Sequence, residues 1–188
     1  NFINKKTLVI AISQSGETID VLDAVKMAKE KKSKVLAIVN VQGSSLTREV
    51  EGFILMNAGP EIGVLSTKTY TSQLAILSLI SYSVNKNYQK GLKALKALIK
   101  YVYALTSKNT RDYLKKLSRN LRYTEHIYTM GRDLEYPTAL EAALKIKEVS
   151  YIHAEGFAGG ELKHGNIALI EKGTPCIVFI PKKNNEEI

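Results

Sequence analysis

The chain has 188 residues, of which 45% are hydrophobic and 24% charged, a balance typical of a folded globular protein. Its net charge is +9, but the lysines are scattered at helical spacing among apolar residues. They form no basic stripe with interleaved aromatic residues, which argues against a nucleic-acid-binding protein. No apolar stretch reaches the roughly 20 residues of a membrane span, and the first residues do not resemble a signal peptide, so we expect no membrane partner. The single cysteine excludes an internal disulfide and suits a reducing, cytoplasmic setting.

The first third of the chain alternates between strand and helix patterns. An apolar, β-branched run at 6–13 predicts a buried strand, and 16–32 predicts a helix with one apolar stripe. Further strands are predicted at 34–40 and 51–59. Strands and a helix at this spacing indicate a parallel α/β sheet.

The middle of the chain is helical, with patterns at 66–86, 88–108 and 109–125. A strand pattern returns at 126–133, and a helix with Pro137 in its first turn is predicted over 137–156. The last predicted strand covers 173–181.

The segment "SQSGET", Ser13 to Thr18, follows the first predicted strand and opens the first predicted helix. Ligands of open α/β sheets bind beyond the carboxyl ends of the strands, where amide groups and the helix dipole favour an anion. Ser13, Ser15 and Thr18 supply hydroxyl donors, and Gly16 allows close approach of the backbone. The alternative is that Ser15 simply caps the helix.

Four segments carry a family resemblance: "SQSGET", "NVQGSSLTRE", "NAGPEIGVLSTKTYTSQL" and "GRDLEYPTALEAALKIKEVSYIHAEGFAGGELKHG". Over residues 6–181 the chain resembles the isomerase part of the glutamine–fructose-6-phosphate aminotransferases. The resemblance implies parts of two SIS (sugar isomerase) domains, each a flavodoxin-like parallel sheet flanked by helices. We place the first at 1–88, a helical connector at 89–125 and the second at 126–188.

The resemblance also implies an enzyme that makes glucosamine 6-phosphate from fructose 6-phosphate and ammonia. In the family the ammonia comes from a separate glutaminase domain, and the active protein is a homodimer. Sugar phosphate, a second copy of the chain and a glutaminase domain in the parent protein are thus the expected partners.

By motif, the resemblance assigns roles to nine residues. Four would bind the sugar phosphate: Ser13, Gln14, Ser15 and Thr18. Val64 and Ser66 would face the sugar. Glu148 would move a proton between C1 and C2 with Lys145 beside it, and His164 would serve ring opening from the neighbouring subunit.

Without the family context, these residues have plainer interpretations. Lys145 and Glu148 are three apart and could form a solvated ion pair on one helix face. His164 could be an exposed loop histidine. His153 is expected in the core, no role is assigned to His126, and Cys176, in an apolar run, is expected to be a buried thiol. Since the three histidines and the cysteine lack metal-ligand spacing, we expect no metal and no cofactor.

Two family motifs are missing: a "CGTS"-like loop on the first strand of the first SIS domain and a lysine in the carboxyl-terminal tail. The chain is therefore expected to be either a fragment or a rearranged domain in which 126–132 supplies the strand that the first sheet lacks, with weak sugar-phosphate binding and little or no turnover. The rival functions are a SIS regulatory module that binds sugar phosphate without chemistry, and a related SIS deglycase or isomerase.

Overall fold

A computed structural model describes residues 2–180 and shows α-helices around parallel β-sheets. The expected fold class is confirmed. The chain divides into two compact units between Tyr101 and Val102, and each is described by itself. The finer division into 1–88, 89–125 and 126–188 stays a prediction.

The first unit is built on a three-stranded parallel sheet in the order β1-β2-β3. Two residues of the predicted α1 stripe, Val25 and Ala28, are fully covered and pack in a core with β1 and β2, whereas a third, Ile19, is exposed. The elements are β1 (Leu8–Ser13), α1 (Ile19–Glu30), β2 (Lys34–Val39), α2 (Ser45–Glu49), β3 (Gly52–Leu55), α3 (Lys68–Val84) and α4 (Tyr88–Leu105), within which the division falls.

The second unit is also built on a parallel sheet, in the order β5-β4-β6. Its elements are α5 (Lys108–Leu121), β4 (His126–Gly131), α6 (Glu135–Ser150), β5 (His153–Ala158), two short 3₁₀ turns (Leu162–His164 and Asn166–Leu169) and β6 (Cys176–Phe179). Pro181, the last residue of the final predicted strand, lies outside the described residues. Within residues 2–180, no helix is long and apolar enough to cross a membrane.

The helix predicted over 137–156 was wrong in its last part. Helix α6 ends at Ser150, because Tyr151 adopts the left-handed conformation, and β5 begins at His153. Gly156 allows this strand to lie close to α6, since a Cβ there would be 3.0 Å from the Cα of Leu140. Ala154 and Gly156 alternate with the larger His153, Glu155 and Phe157, which is the two-residue period of a strand. The helix-forming residues that precede them masked this period in the sequence pattern.

Three further expectations were wrong. His153 is exposed instead of lying in the core, because it is the first residue of β5 and stands at the end of the sheet. Cys176 is exposed at the start of β6, and partial desolvation of its sulfur raises the pKa of the thiol. Finally, β4 pairs with β5 and β6, so it supplies no strand to the first sheet.

Candidate functional site

The loop after β1, residues 13–18, is folded around its own hydroxyl groups. The buried Oγ of Ser13 accepts a hydrogen bond from the amide of Gly16 at 3.0 Å and pairs with Oγ1 of Thr18 at 3.0 Å. The Oγ of Ser15 accepts from the amide of Glu17 at 3.2 Å. Three hydroxyls predicted to bind an anion are thus gathered in one turn at the carboxyl end of β1.

Ser15 is not the cap of α1. The N-cap residue is Thr18, and its side chain makes no capping hydrogen bond. Since the first amides of an α-helix have no partner within the helix, those of α1 remain available to an anion beside the loop, where the helix dipole favours negative charge. The alternative interpretation of Ser15 is therefore wrong, and the turn has the donors that a phosphate needs.

The neighbouring strand and its loop hold this turn in place through the backbone. The amide of Asn40, just after β2, donates to the carbonyl of Gln14 at 3.2 Å, and the amide of Leu46 donates to the carbonyl of Gly16 at 3.0 Å. The side chain of Asn40 also binds the backbone of Ala58 and Gly59, at 3.0 and 2.8 Å. The loops after β1, β2 and β3 thus form one hydrogen-bonded edge.

Glu17 adds a side-chain connection between the turn and α2. Its Oε1 accepts a hydrogen bond from the amide of Ser45 at 2.8 Å, and this bond, helped by Arg48, lowers the pKa of the carboxyl. The carboxylate is thus directed to the start of α2, where the helix dipole favours it, and away from the hydroxyl groups of the loop.

Ser44 packs against Gly16 and is 4% exposed. A Cβ on Gly16, whose φ is +72°, would be 2.1 Å from the Oγ of Ser44 and 2.9 Å from Val39. Among the described residues, the Oγ of Ser44 is a buried polar atom without a hydrogen-bond partner. Only glycine therefore fits at position 16.

The predicted sugar-facing residues lie in the loop before α3. Val64 is exposed, and the hydroxyl of Ser66 is hydrogen-bonded to that of Thr69. Glu61 holds this loop: its Oε1 accepts from the amides of Thr67 and Thr69, at 2.7 and 3.0 Å. These bonds, those to Thr69 first, lower the pKa of Glu61 to about 2.

We expect Glu61→Gln to destabilise the chain at pH 7 but not at pH 2. Because the pKa of Glu61 is lower in the folded state, to about 2, its contribution is complete above the pKa of a free glutamate, roughly 4.3, and is lost as the pH falls toward 2. Urea unfolding from pH 7 to pH 2 measures the difference from the parent. Glu30→Gln, an exposed residue in the last turn of α1, is the control, and a pH-independent difference for Glu61→Gln would contradict the prediction.

In the second unit, Lys145 and Glu148 of α6 are in direct contact. The Nζ of Lys145 lies 2.6 Å from Oε2 of Glu148 and 3.4 Å from Oε1 of Glu141, and all three side chains are partly buried. Partial burial acts to lower the pKa of Lys145, but the two carboxylates outweigh it and the pKa is raised. The lysine therefore stays protonated between two carboxylates, and the pair is not fully solvated.

His164 ends the 3₁₀ turn Leu162–His164 and is exposed. Its amide donates to the carbonyl of Glu161 at 3.0 Å. None of the hydrogen bonds between described residues joins its ring to Lys145 or Glu148. In the part of the chain that the structure covers, no three His, Cys, Asp or Glu side chains form a group that could hold a metal.

The model of the SIS domain matches residues 1–82 and 120–188. The chain belongs to the SIS-domain family. It is 45% identical over 188 aligned residues to the glutamine–fructose-6-phosphate aminotransferase (isomerizing) of Thermococcus kodakarensis, covering 96% of this chain and 31% of that protein. The enzyme of the same name from Mycobacterium tuberculosis H37Rv is 46% identical over 191 residues, covering 95% of this chain and 30% of that one.

Solved structures show the same SIS fold. The C-terminal domain of glucosamine-fructose-6-phosphate aminotransferase from Francisella tularensis has a TM-score of 0.85 at 38% identity, covering 98% of this chain and 54% of that one. The tagatose-6-phosphate ketose/aldose isomerase of Escherichia coli has a TM-score of 0.73 at 18% identity, covering 97% and 51%, and shows the fold alone. The chain spans about a third of the length of the curated relatives it matches.

Sequence reasoning missed the residues that support the loop after β1. Asn40 was predicted only as the end of a strand, and Ser44 lies in a segment that received no role in supporting the loop. A strand-ending Asn followed by Gly-Ser-Ser was an available signal, because such residues form side-chain to backbone hydrogen bonds at turns. No local sequence pattern predicts that Glu61 accepts hydrogen bonds from the amides of Thr67 and Thr69, because these partners lie six and eight residues later in the chain.

Proposed function

We propose that this chain is the sugar-phosphate isomerase part of an aminotransferase that makes glucosamine 6-phosphate from fructose 6-phosphate and glutamine-derived ammonia. The hydroxyl-lined turn at the carboxyl end of β1 carries the proposal, because it offers several rotatable donors beside an uncapped helix start. Relatives that are 45% identical bear that enzyme's name.

The phosphate-binding role belongs to Ser13, Gln14, Ser15 and Thr18. Hydroxyl donors turn to suit a tetrahedral oxyanion, and the Ser13–Thr18 bond keeps two of them together. Val64 and Ser66 face the sugar in this proposal. The support is the position of their loop, which Asn40 ties through Gly59 to the same edge of the sheet as the phosphate turn.

The chemical role belongs to Glu148, Lys145 and His164. Moving a proton between C1 and C2 of an open sugar requires a base beside the substrate, and the carboxylate of Glu148 is such a group. Lys145, held protonated, orients that carboxylate through their 2.6 Å contact. His164, an exposed imidazole, transfers the proton of ring opening, and as an exposed residue it can reach a site on a partner subunit.

The proposed function also predicts an oligomeric state, a further domain and a cellular location. We expect a homodimer, because the proposed His164 role uses a neighbouring subunit, and a glutaminase domain in the parent protein. A cytoplasmic location suits the single cysteine of the chain.

We expect Ser15→Ala and Thr18→Val each to weaken fructose 6-phosphate binding by about 10- to 100-fold. Each variant removes one hydroxyl donor to a charged group, worth about 1.5 to 3 kcal/mol. Calorimetric titration of the chain with fructose 6-phosphate measures the loss, and fructose without phosphate should show no difference between parent and variants.

Ser33→Ala is the matched control for these two variants. Ser33 is a buried serine of the same unit whose Oγ donates to the carbonyl of Asn4 at 2.8 Å. It precedes β2 and therefore lies at the opposite end of the sheet. Unchanged affinity in Ser15→Ala and Thr18→Val, or an equal loss in Ser33→Ala, would contradict the phosphate assignment.

A further inference from the structure

His126 and His153 are the first residues of β4 and β5 and stand side by side in the parallel register of the second sheet. Their Nδ1 atoms are 3.0 Å apart, and the rings are nearly perpendicular, with an interplanar angle of 82°. Both side chains are exposed. The pair lies at the amino ends of the strands, opposite to the end where ligands of such sheets bind.

The separation of the two nitrogens suits a shared metal ion. Imidazole nitrogens bind first-row metals at about 2.0 to 2.1 Å. The two Nδ1 atoms share a hydrogen bond, and when both rings carry their proton on Nε2 instead, nitrogens 3.0 Å apart can both reach one ion at that distance, with an angle of about 90° at the metal. That angle is typical of square-planar or octahedral Cu²⁺ and Ni²⁺ and is smaller than the tetrahedral angle of zinc.

The fold holds the two rings in place before any ion binds. The amide of His153 donates to the carbonyl of Glu125 at 3.2 Å, which fixes the start of β5 against β4. The residues are 27 positions apart in sequence, so the unfolded chain does not bring them together. An ion that binds both rings therefore stabilises the folded state.

The surroundings leave room for the other ligands of such an ion. A cavity of about 320 Å³ adjoins His126, and Glu125, Glu171 and Lys172 are among its lining residues. No third His, Cys, Asp or Glu of the described residues completes a group. The protein thus supplies two nitrogens, and solvent supplies the remaining ligands.

We propose that His126 and His153 form a two-histidine site for a divalent ion of the Cu²⁺ or Ni²⁺ type, which links β4 to β5 at their starts. The site is separate from the proposed isomerase residues. Its two protein ligands make it an exchangeable site instead of a closed structural one.

The test is a calorimetric titration of the untagged 188-residue chain with CuCl₂ and, separately, NiCl₂. We expect one ion per chain, and at least tenfold weaker binding in His126→Ala and in His153→Ala. His164→Ala is the matched control, because His164 is the third histidine of the chain, is also exposed, and should not affect binding.

Two further readouts separate metal binding from a general effect on folding. The Cu²⁺ electron paramagnetic resonance spectrum should show two coordinated nitrogens in the parent and fewer in either alanine variant. Cu²⁺ should raise the thermal unfolding midpoint of the parent but not that of His126→Asn. Equal affinity in the parent and in the His126→Ala, His153→Ala double variant, or a loss only in His164→Ala, would overturn the proposal.

Discussion

Replacing Glu148 by glutamine is expected to remove isomerisation while leaving sugar-phosphate binding close to that of the parent. The amide has nearly the same shape but cannot accept the proton that moves between C1 and C2, and positioned acid–base groups contribute about 10² to 10⁴ in rate. The turn proposed to bind phosphate lies in the other unit and should be unaffected. In the proposed complete aminotransferase, exchange of the C1 hydrogen of fructose 6-phosphate with D₂O measures the proton transfer directly.

Glu141→Gln is a matched control for this experiment. Glu141 lies on the same helix, contacts the same lysine at 3.4 Å and is exposed to a similar extent, 24% against 28% for Glu148. A loss confined to Glu148→Gln supports its role as the base, whereas equal losses in both variants would mean that the charge of Lys145 matters instead. Full activity in Glu148→Gln would contradict the catalytic assignment, whereas a parent that binds fructose 6-phosphate without any exchange would favour a module that binds sugar phosphate without chemistry.

Much of the fold could be predicted from the sequence because its signals are local. The β-branched run of β1 and the apolar stripe of α1 each lie within one window, and Val25 and Ala28 are fully covered as that stripe requires. The strand β5 was missed for the opposite reason. Its residues against α6 are the buried Ala154 and the half-buried Gly156, small residues that contact with α6 requires and that the strand's own pattern does not explain.

The candidate site likewise contains residues that a local sequence pattern predicts and residues that it does not. The hydroxyls of Ser13, Ser15 and Thr18 could be identified because they lie within six residues of one another in a turn after a strand. The groups that hold this turn come from elsewhere: Glu17 binds Ser45, which is 28 residues away, and Asn40 binds the backbone of Gly59. Such pairs depend on strand order and register, which local patterns do not determine.

Gly16→Ala is expected to destabilise the chain by about 2 to 5 kcal/mol and to weaken fructose 6-phosphate binding at least tenfold. The left-handed backbone, with φ at +72°, costs a non-glycine residue about 1 to 2 kcal/mol. The new Cβ would also meet the Oγ of Ser44 at 2.1 Å, and overpacking of this kind adds about 1 to 3 kcal/mol. Relief of the clash would move the amide of Gly16 away from Ser13, so the hydroxyls of the turn would lose their arrangement.

Gly43→Ala separates the cost of the left-handed backbone from the cost of the clash with Ser44. Gly43 has a similar φ of +78°, but a Cβ there meets nothing within 4 Å. We expect it to lose only the backbone part, about 1 to 2 kcal/mol, and to keep its affinity. Adding Ser44→Gly to Gly16→Ala removes the nearest obstacle and should recover part of both losses, while Val39 at 2.9 Å limits the recovery. Urea unfolding and titration with fructose 6-phosphate measure all three variants. Equal effects of Gly16→Ala and Gly43→Ala would show that backbone conformation, and not contact with Ser44, explains the glycine at position 16.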